Sequence, residues 1–486
     1  MKQSLLIVVV AAVFWLSTSP VAQAQWQCVY ATYDDDVNGT GHNTPSVGVI
    51  SEDMFVALVM TPNARNFMIP YASADSGLGR LNFVGYGSSA TSGIYQFWSD
   101  GGFDQVAMKN AGKLVVTPDS LIYVANNDPA HNILVFKFTG DTVAAAAPFP
   151  RQETGSNSIF GLAVDANGHV YVCNDTSNGV TNDLKIYNPV GMWSGTTGAP
   201  LQTIDLPDGV YRGIAVSPNG DQLFVADTNR LILKYTGSPA TGYTLDGSFS
   251  FQMAPGDTIA GSAIRPGPIN LSYLGSNNIL FAAVDAHGYT PSGTYGTYSF
   301  GRIYLLNPYT GALISTDSSM SIIDVAAWNY VTLDSSYTNR AGGTVPGNAS
   351  GYASTYDVAF DENGNVYSQS YFGWTVEKWT YNGTLPVISG VERVSNTVPE
   401  AFRLEQNFPN PFNPATTIEF TVLNSGSVSL KVFDLLGREV TVLAQGHMVA
   451  GTYRATFEAS NLPGGIYFYT LRTHDGSVTK KMTLVK

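Results

Sequence analysis

One short pattern, written four times, limits this chain more than any other feature. Its clearest copy is Gly161-Leu-Ala-Val-Asp165-Ala-Asn-Gly168-His-Val-Tyr-Val-Cys-Asn174. A second is Gly213-Ile-Ala-Val-Ser217-Pro-Asn-Gly220-Asp-Gln-Leu-Phe-Val-Ala-Asp227, and a third is Asp357-Val-Ala-Phe-Asp361-Glu-Asn-Gly364-Asn-Val-Tyr-Ser-Gln369. A weaker fourth is Leu114-Val-Val-Thr-Pro-Asp119-Ser-Leu-Ile-Tyr-Val-Ala-Asn126. Two short apolar runs flank a turn, which predicts a hairpin. Asn-Gly supplies the positive φ of a two-residue turn, and the Asp or Ser before it can bond backbone two residues on. A third apolar run follows each hairpin: 132–136, 184–187, 231–235 and 376–379, with another at 302–306.

The spacing turns the pattern into an architecture. Gly168 and Gly220 lie 52 residues apart, and Gly220 and Gly364 lie 144 apart, close to three further periods. A period near 50 with three or four strands per unit predicts a β-propeller, in which each blade covers the next and shields its edges. Six blades are expected, with seven as the alternative. A β-sandwich would not need one hairpin at near-regular intervals. Composition agrees with all-β: 49 Gly and 25 Pro punctuate a chain of which only 13% is charged, and aromatic and β-branched residues suit pleated surfaces.

The units resemble NHL-type and YVTN-type propeller repeats. Phe224-Val-Ala-Asp227-Thr-Asn229-Arg230-Leu-Ile is similar to the NHL signature, and Asn307-Pro-Tyr-Thr-Gly311 to a YVTN strand exit. The resemblance covers residues 110 to 385 and implies architecture, not activity. The stretches before 110 and from 262 to 345 depart from it.

Residues 1–24 read as a signal peptide: Lys2, an apolar run from Leu5 to Leu16, and Ala22-Gln23-Ala24, with cleavage expected after Ala24. Twelve apolar residues fall short of the roughly 20 that span a bilayer, and no later segment qualifies. Trp26-Gln27 before Cys28 argues against a lipid anchor. Cys28 and Cys173 leave open either a disulfide or two separate thiols.

The expected propeller spans 25–386, a linker 387–397, and a second domain 398–486. In the last, Asn407-Phe-Pro409-Asn410-Pro411-Phe412-Asn413-Pro414 holds three prolines in eight residues and predicts a rigid, extended lead-in. Strands are expected at 416–422, 428–433, 451–457, 465–471 and 478–484, with a turn at Asp434-Leu-Leu-Gly437, giving a small immunoglobulin-like antiparallel sandwich.

This tail resembles the C-terminal sorting domain of type IX secretion cargo, found in Bacteroidota and relatives. The residues that carry the resemblance are Asn407, Pro409, Asn410, Pro411, Phe412, Asn413 and Pro414; Phe433-Asp434 and Gly437-Arg438-Glu439-Val440; Ala450-Gly451; Leu462-Pro-Gly-Gly465-Ile466-Tyr467; and Lys480-Lys481-Met482. The resemblance implies export through an outer-membrane translocon, then release or attachment at the cell surface. An accessory module of the same fold without a sorting role is the alternative.

Charge narrows the partners. The whole chain carries −13, the tail from Val398 is near neutral, and residues 25–397 carry −15. Such a body repels phosphate backbones, so nucleic acid is not an expected partner, and neither is an anionic membrane surface. No Gly-x-Ser-x-Gly or His-Glu-x-x-His stands in the chain, and the six histidines show no metal spacing. His169, in a turn, is expected to face solvent.

Two candidate sites remain. Asp34, Asp36, Asn38 and Thr40, with Gly39, resemble the first half of a Ca²⁺ loop, although Pro45 stands where the bidentate Glu belongs. Polar residues ending the second strands, Asn126, Asn174, Asp175, Asp227 and Gln369, are candidates for a ligand site at the channel mouth. Metal-dependent lactonases and esterases of the regucalcin and gluconolactonase type place Glu, Asn and Asp there, and this chain offers no matching Glu. The leading expectation is therefore a non-catalytic module that binds an extracellular protein or glycan, with Tyr289, Tyr295, Tyr298 and Trp374 in glycine-rich loops as contacts. The hydrolase is the alternative, and a structural role in a surface layer or in adhesion is a third reading.

Overall fold

The computed structural model describes residues 26–31, 43–60, 66–74, 77–80, 94–97, 103–106, 108, 111–126, 132–138, 143–145, 159, 161–173, 183–189, 199–227, 231–247, 249–251, 267–285, 301–315, 317–325, 355–370, 375–388, 391–395, 401–448, 450–459 and 462–486. Nearly all of this is antiparallel β-structure. Ser318–Ser321 forms a single helical turn, and among the described residues no helix is long and apolar enough to cross a membrane.

Among the described residues, six four-stranded sheets follow one another along the chain up to residue 381, with a two-stranded sheet, Ile94–Phe97 and Phe103–Val106, between the first and the second. Their first strands are Asn43–Ser51, Lys113–Val116, Gly161–Val164, Tyr211–Val216, Gly267–Leu274 and Thr355–Phe360. In the first five sheets the remaining strands add outward in chain order. The sixth gains its fourth strand from the other end of the chain: Trp26–Ala31 pairs with Thr375–Tyr381, Trp26 opposite Tyr381 and Cys28 opposite Trp379. The Trp26 indole also donates to the Met320 carbonyl at 2.9 Å.

Both faces of these sheets are apolar because each is covered. One core joins sheets three and four through Tyr171, Leu184, Tyr211, Ile214 and Val225. Others join four to five, five to six, and two to three. Phe55 and Leu58 of the first sheet share a core with Leu114 and Phe136 of the second and with Tyr367 and Val376 of the sixth. The first sheet thus shares its core with both the second and the sixth. Fully burying one such side chain is worth about 1.5–3 kcal/mol.

The hairpin turns between first and second strands differ from the expected two-residue form. Val164 pairs with Val170, so residues 165–169 make the turn. Gly168 N donates to the Asp165 carbonyl at 3.0 Å, and Asp165 N to the His169 carbonyl at 3.2 Å. In the three Asn-Gly turns glycine takes the positive φ, 84° at Gly168, 74° at Gly220 and 78° at Gly364. Asp165 Oδ1 accepts from Asn167 N and His169 N, each at 2.9 Å. His169, expected to face solvent, is half-buried, with its Nδ1 2.9 Å from Asp165 Oδ2.

These turns also tie sheet to sheet. The Tyr171 hydroxyl donates to Asp165 Oδ2 at 3.1 Å and meets the Tyr243 hydroxyl of the fourth sheet at 2.9 Å. Burial pushes the Tyr243 phenol up to about 12. In the sixth sheet Tyr367 donates likewise to Asp361 at 3.2 Å and accepts from Asp53 N of the first sheet at 2.8 Å.

Residues 391–484 form two more four-stranded sheets. One orders Val391–Ser395, Gly451–Glu458, Ala415–Val422 and Arg403–Leu404; the other orders Glu439–Met448, Gly426–Phe433, Gly465–Thr473 and Gly476–Leu484. They enclose one core that includes Ile418, Phe420 and Phe457 from the first and Leu430, Tyr469 and Met482 from the second. The segment 387–397, expected as a linker, contributes the strand Val391–Ser395. Its partner is Gly451–Glu458, far along the chain, so no local turn announces it.

Both cysteines are thiols in this structure. Cys173 is buried in the third sheet with Sγ 3.4 Å from the Tyr211 carbonyl, while Cys28 lies on the outer strand of the sixth.

Candidate functional site

A cavity of about 200 Å³ is lined by the first strand of all six N-terminal sheets. Its wall is mostly apolar, with Val49, Val116, Ala163, Ile214, Leu271 and Val358 among its residues, and Lys113 is the one charged residue among the described residues that line it. Six positions govern one end of these strands: Ser46, Lys113, Gly161, Gly213, Asn270 and Asp357. Each directly precedes a buried apolar residue, in turn Val47, Leu114, Leu162, Ile214, Leu271 and Val358. Glycine stands where backbones converge. A Cβ on Gly213 would lie 2.8 Å from Asn270 Cα, and one on Gly161 would lie 2.7 Å from the Arg212 carbonyl oxygen.

The other positions carry a buried polar network. The Lys113 ammonium donates to Asp357 Oδ1, and the Ser46 hydroxyl to Asp357 Oδ2. Val47 N adds a donor to Oδ2 at 3.3 Å, and Leu114 N donates to Ser46 Oγ at 2.9 Å. Nearby, Arg212 Nη1 donates to the Tyr356 hydroxyl at 2.7 Å, and Asn270 Nδ2 to the Tyr356 carbonyl at 3.1 Å. Lys113 belongs to the second sheet and Arg212 to the fourth, yet both reach the sixth, so these contacts cross the end of the cavity rather than follow its wall. A buried ion pair of this kind persists only where hydrogen bonds complete it. Sequence reading missed Lys113, Asp357 and Ser46. The signal was there: Asp357 occupies the repeat position that Gly161 and Gly213 fill in the other copies.

Of the expected ligand residues, Gln369, Asp227 and Asn126 sit at the same end of the sheets but off the cavity wall. Gln369 is buried opposite Asp357 in the strand register. Asp227 is buried opposite Tyr211, and its Oδ1 accepts from Val210 N at 3.1 Å, tying the approach to the fourth sheet. Asn126 is buried, and its backbone N donates to the Asn132 carbonyl at 2.7 Å. Asn174 and Asp175 lie outside the described residues, as do Asp34, Asp36, Asn38 and Thr40 of the Ca²⁺ loop and Tyr289, Tyr295, Tyr298 and Trp374. The carboxylate of Glu377, fully buried, accepts from Ser368 Oγ at 2.5 Å in the third strand of the sixth sheet, away from the cavity wall. Among the described residues no three or more His, Cys, Asp or Glu side chains gather in a way that could hold a metal ion.

A second site is the proline-rich entry to the C-terminal unit. The expectation of an extended lead-in is overturned, because the segment is folded against the sandwich by its asparagines. Asn407 is buried; its N–H donates to the Tyr469 hydroxyl at 2.8 Å, and its Nδ2 donates to the Pro409 carbonyl at 3.1 Å and to Thr416 Oγ1 at 3.0 Å. The Tyr469 hydroxyl donates in turn to the Glu405 carbonyl at 2.9 Å. Asn410 Oδ1 accepts from Thr483 N at 3.0 Å. Phe412 is buried against Phe457, and its amide donates to the Thr483 carbonyl at 2.9 Å. The Phe408–Pro409, Asn410–Pro411 and Asn413–Pro414 bonds are cis.

Three other motif segments meet this end of the sandwich. In the turn after Phe433, Asp434 Oδ1 accepts from Leu436 N and Arg438 N at 2.9 Å each, and Arg438 Nε lies 2.7 Å from Oδ2. The Arg438 side-chain hydrogen bond holds the Asp434 carboxyl below the usual carboxylate range. Gly437 takes the positive φ of 78°. Gly465 pairs with Leu484, and Lys480 and Lys481 lie on that last strand opposite Tyr469 and Phe468. Gly451, buried opposite Val422, sits at the other end.

Residues 406–485 match the family model described as a secretion system C-terminal sorting domain. The matched span takes in the proline-rich entry, the Asp434 turn and the Lys480-Lys481 strand, and a domain of this kind fits export by the type IX secretion system. No curated protein matches the chain.

Proposed function

We propose that this protein is cargo of the type IX secretion system: residues 1–24 direct it across the inner membrane, cleavage follows Ala24, and the C-terminal sandwich presents it to the outer-membrane translocon for release or surface attachment. The match over residues 406–485 carries this reading. Its test is fractionation of a host that has the exporter. The full chain should appear in the medium or on the surface with Gln25 as its first residue, and a chain ending before residue 398 should stay in the periplasm. Export of the shortened chain would overturn the reading.

The delivered part, residues 25–386, is a six-bladed propeller in this reading. Support comes from the closed succession of interface cores, from one cavity lined by all six first strands, and from the pairing of Trp26–Ala31 with Thr375–Tyr381. A strand taken from the opposite end of the chain ties a ring shut.

Its work is non-catalytic binding of an extracellular protein or glycan. The charged side chains at the cavity, Lys113 and Asp357, already satisfy each other, and the body is acidic. A glycan array and a metal assay on the purified exported protein test this. Stoichiometric divalent metal with turnover of lactones or esters would favour the hydrolase instead.

A further inference from the structure

The C-terminal sandwich has two unlike ends. Its large apolar side chains that face solvent, among the described residues, are Val394, Phe408, Leu435, Leu436, Ile466 and Val485. Phe408 is 80% exposed, Leu435 68% and Leu436 79%. Register places all but Val394 at one end; Val394, the least exposed at 36%, lies between Arg393 and Ser395, which pair with Tyr453 and Thr452 toward the other. Leu435 and Leu436 follow Phe433, which pairs with Phe468. Ile466 stands two residues from Phe468 and pairs with Thr483. Val485 N bonds the Phe412 carbonyl at 2.9 Å, and Phe408 N bonds the carbonyl of Thr417, near the start of its strand, at 2.8 Å. The opposite end is built from polar turns, with Asn424 Nδ2 on Asp475 at 2.8 Å and Ala450 N on Ser425 Oγ at 2.9 Å.

Exposed leucines cost solubility, and a turn could hold them inward. Here the Asp434 carboxylate fixes the backbone around them by accepting from Leu436 N and Arg438 N, and its other oxygen holds the Arg438 side chain, so the side chains are presented on a rigid support. A preordered apolar contact loses little entropy when a partner covers it. The charges around the patch are mainly cations: Arg438, whose side chain is 75% exposed and paired with Asp434, and the exposed Lys481 and Lys486, while the exposed Glu439 is paired with Lys431. Every apolar residue of the patch lies inside the matched span 406–485.

We infer that this end of the sandwich, centred on Leu435 and Leu436, is the surface by which the outer-membrane export machinery reads the protein, and that the receptor is a protein with an apolar groove and an acidic rim. This rests on the sorting reading above. It adds which residues are read. Within the proline-rich segment, Asn407, Asn410 and Phe412 then act as the scaffold of the patch, and Phe408 is part of its contact surface.

The test uses the full chain in a host with the exporter. Leu435→Ser/Leu436→Ser should lower the exported fraction at least fivefold and leave folded protein in the periplasm, with its urea unfolding midpoint unchanged. Phe408→Ser and Lys481→Glu should lower export as well, each through a different segment. Asn424→Ser/Asp475→Ser, at the polar end, should export as the wild type does. Wild-type export of the folded leucine variant, while removal of residues 398–486 blocks export, would overturn the inference and leave the sorting reading intact. Export that survives removal of residues 398–486 would overturn both.

Discussion

Lys378 Nζ lies 2.7 Å from Asp53 Oδ1 across 325 residues of chain, and 3.0 Å from Glu52 Oε1. The contact joins the first sheet to the sixth, where the succession of sheets meets its beginning. Lys378 is almost buried while both acids keep contact with water. Burial alone would lower its pKa, but the hydrogen bonds of Asp53 and Glu52 win and raise it above the ordinary lysine value. Lys378→Met should therefore cost about 1–2 kcal/mol near neutral pH. A raised pKa means that the contribution is complete below about pH 10.4, the unfolded value, and fades as pH rises through the folded one. Urea unfolding at pH 7 and above pH 10.5 checks this: the gap between wild type and variant should be constant to pH 10 and shrink beyond it.

The Lys113–Asp357 pair at the end of the cavity should behave as a unit. Asp357→Asn leaves a buried ammonium without its anion, at a cost of about 3 kcal/mol. Replacing both partners by apolar residues, Lys113→Met/Asp357→Leu, should cost less than half of that, because no charge is stranded. A double-mutant cycle on chemical unfolding gives the coupling. Additive costs would mean that the pair is not desolvated as the structure describes.

The six hairpin turns predict opposite effects from glycine. Besides the three glycines, Asp53, Ser120 and Asn278 take positive φ, at 57°, 66° and 52°. A Cβ on Gly364 would meet nothing within 4 Å, so Gly364→Ala tests backbone conformation alone and should cost about 1–2 kcal/mol. Ser120→Gly relieves the same conformation and should stabilise by about 0.5–1 kcal/mol. Thermal melts of the two variants should shift in opposite directions.

Those turns also show what a sequence can reveal about this fold. Where the turn is Asn-Gly, at residues 167–168, 219–220 and 363–364, the unit could be read directly. The first and fifth sheets place Asp53 and Asn278 in the left-handed position instead, so the same backbone is written in other residues and those units went unread. Strands were visible where apolar runs flank a local turn. Val391–Ser395 and Arg403–Leu404 pair with distant segments, and nothing beside them marks a strand. At the cavity, the network needs Ser46, Lys113 and Asp357 together, drawn from three sheets and up to 311 residues apart. Each is ordinary in its own stretch of sequence, and only the packing of three separate sheets brings them into contact. In the tail, three prolines predicted extension. The side chain of Asn407 decides otherwise, because its bonds to Pro409 and Thr416 fold the segment back on itself.

Tyr469 should control how firmly that folded entry is held. Its hydroxyl accepts from Asn407 N at 2.8 Å and donates to the Glu405 carbonyl at 2.9 Å, with the ring fully buried. Tyr469→Phe keeps the ring but strands a buried N–H and a carbonyl, at a cost of about 1–3 kcal/mol. Burial pushes the phenol up to about 12, against the opposing hydrogen bond from Asn407 N. The folded state therefore holds the proton more tightly than the unfolded chain, whose tyrosines ionise near pH 10. The contribution is complete below about pH 10 and is lost as pH rises through about 12. Amide exchange on residues 406–416 should accelerate in the Phe variant at neutral pH. Between pH 10 and 12 the wild type should lose stability faster than the variant, so their unfolding midpoints should converge. Midpoints that stay parallel across that range would mean that the phenol is not shielded from water, and the hydrogen bonds from Asn407 would then be too weak to hold the segment.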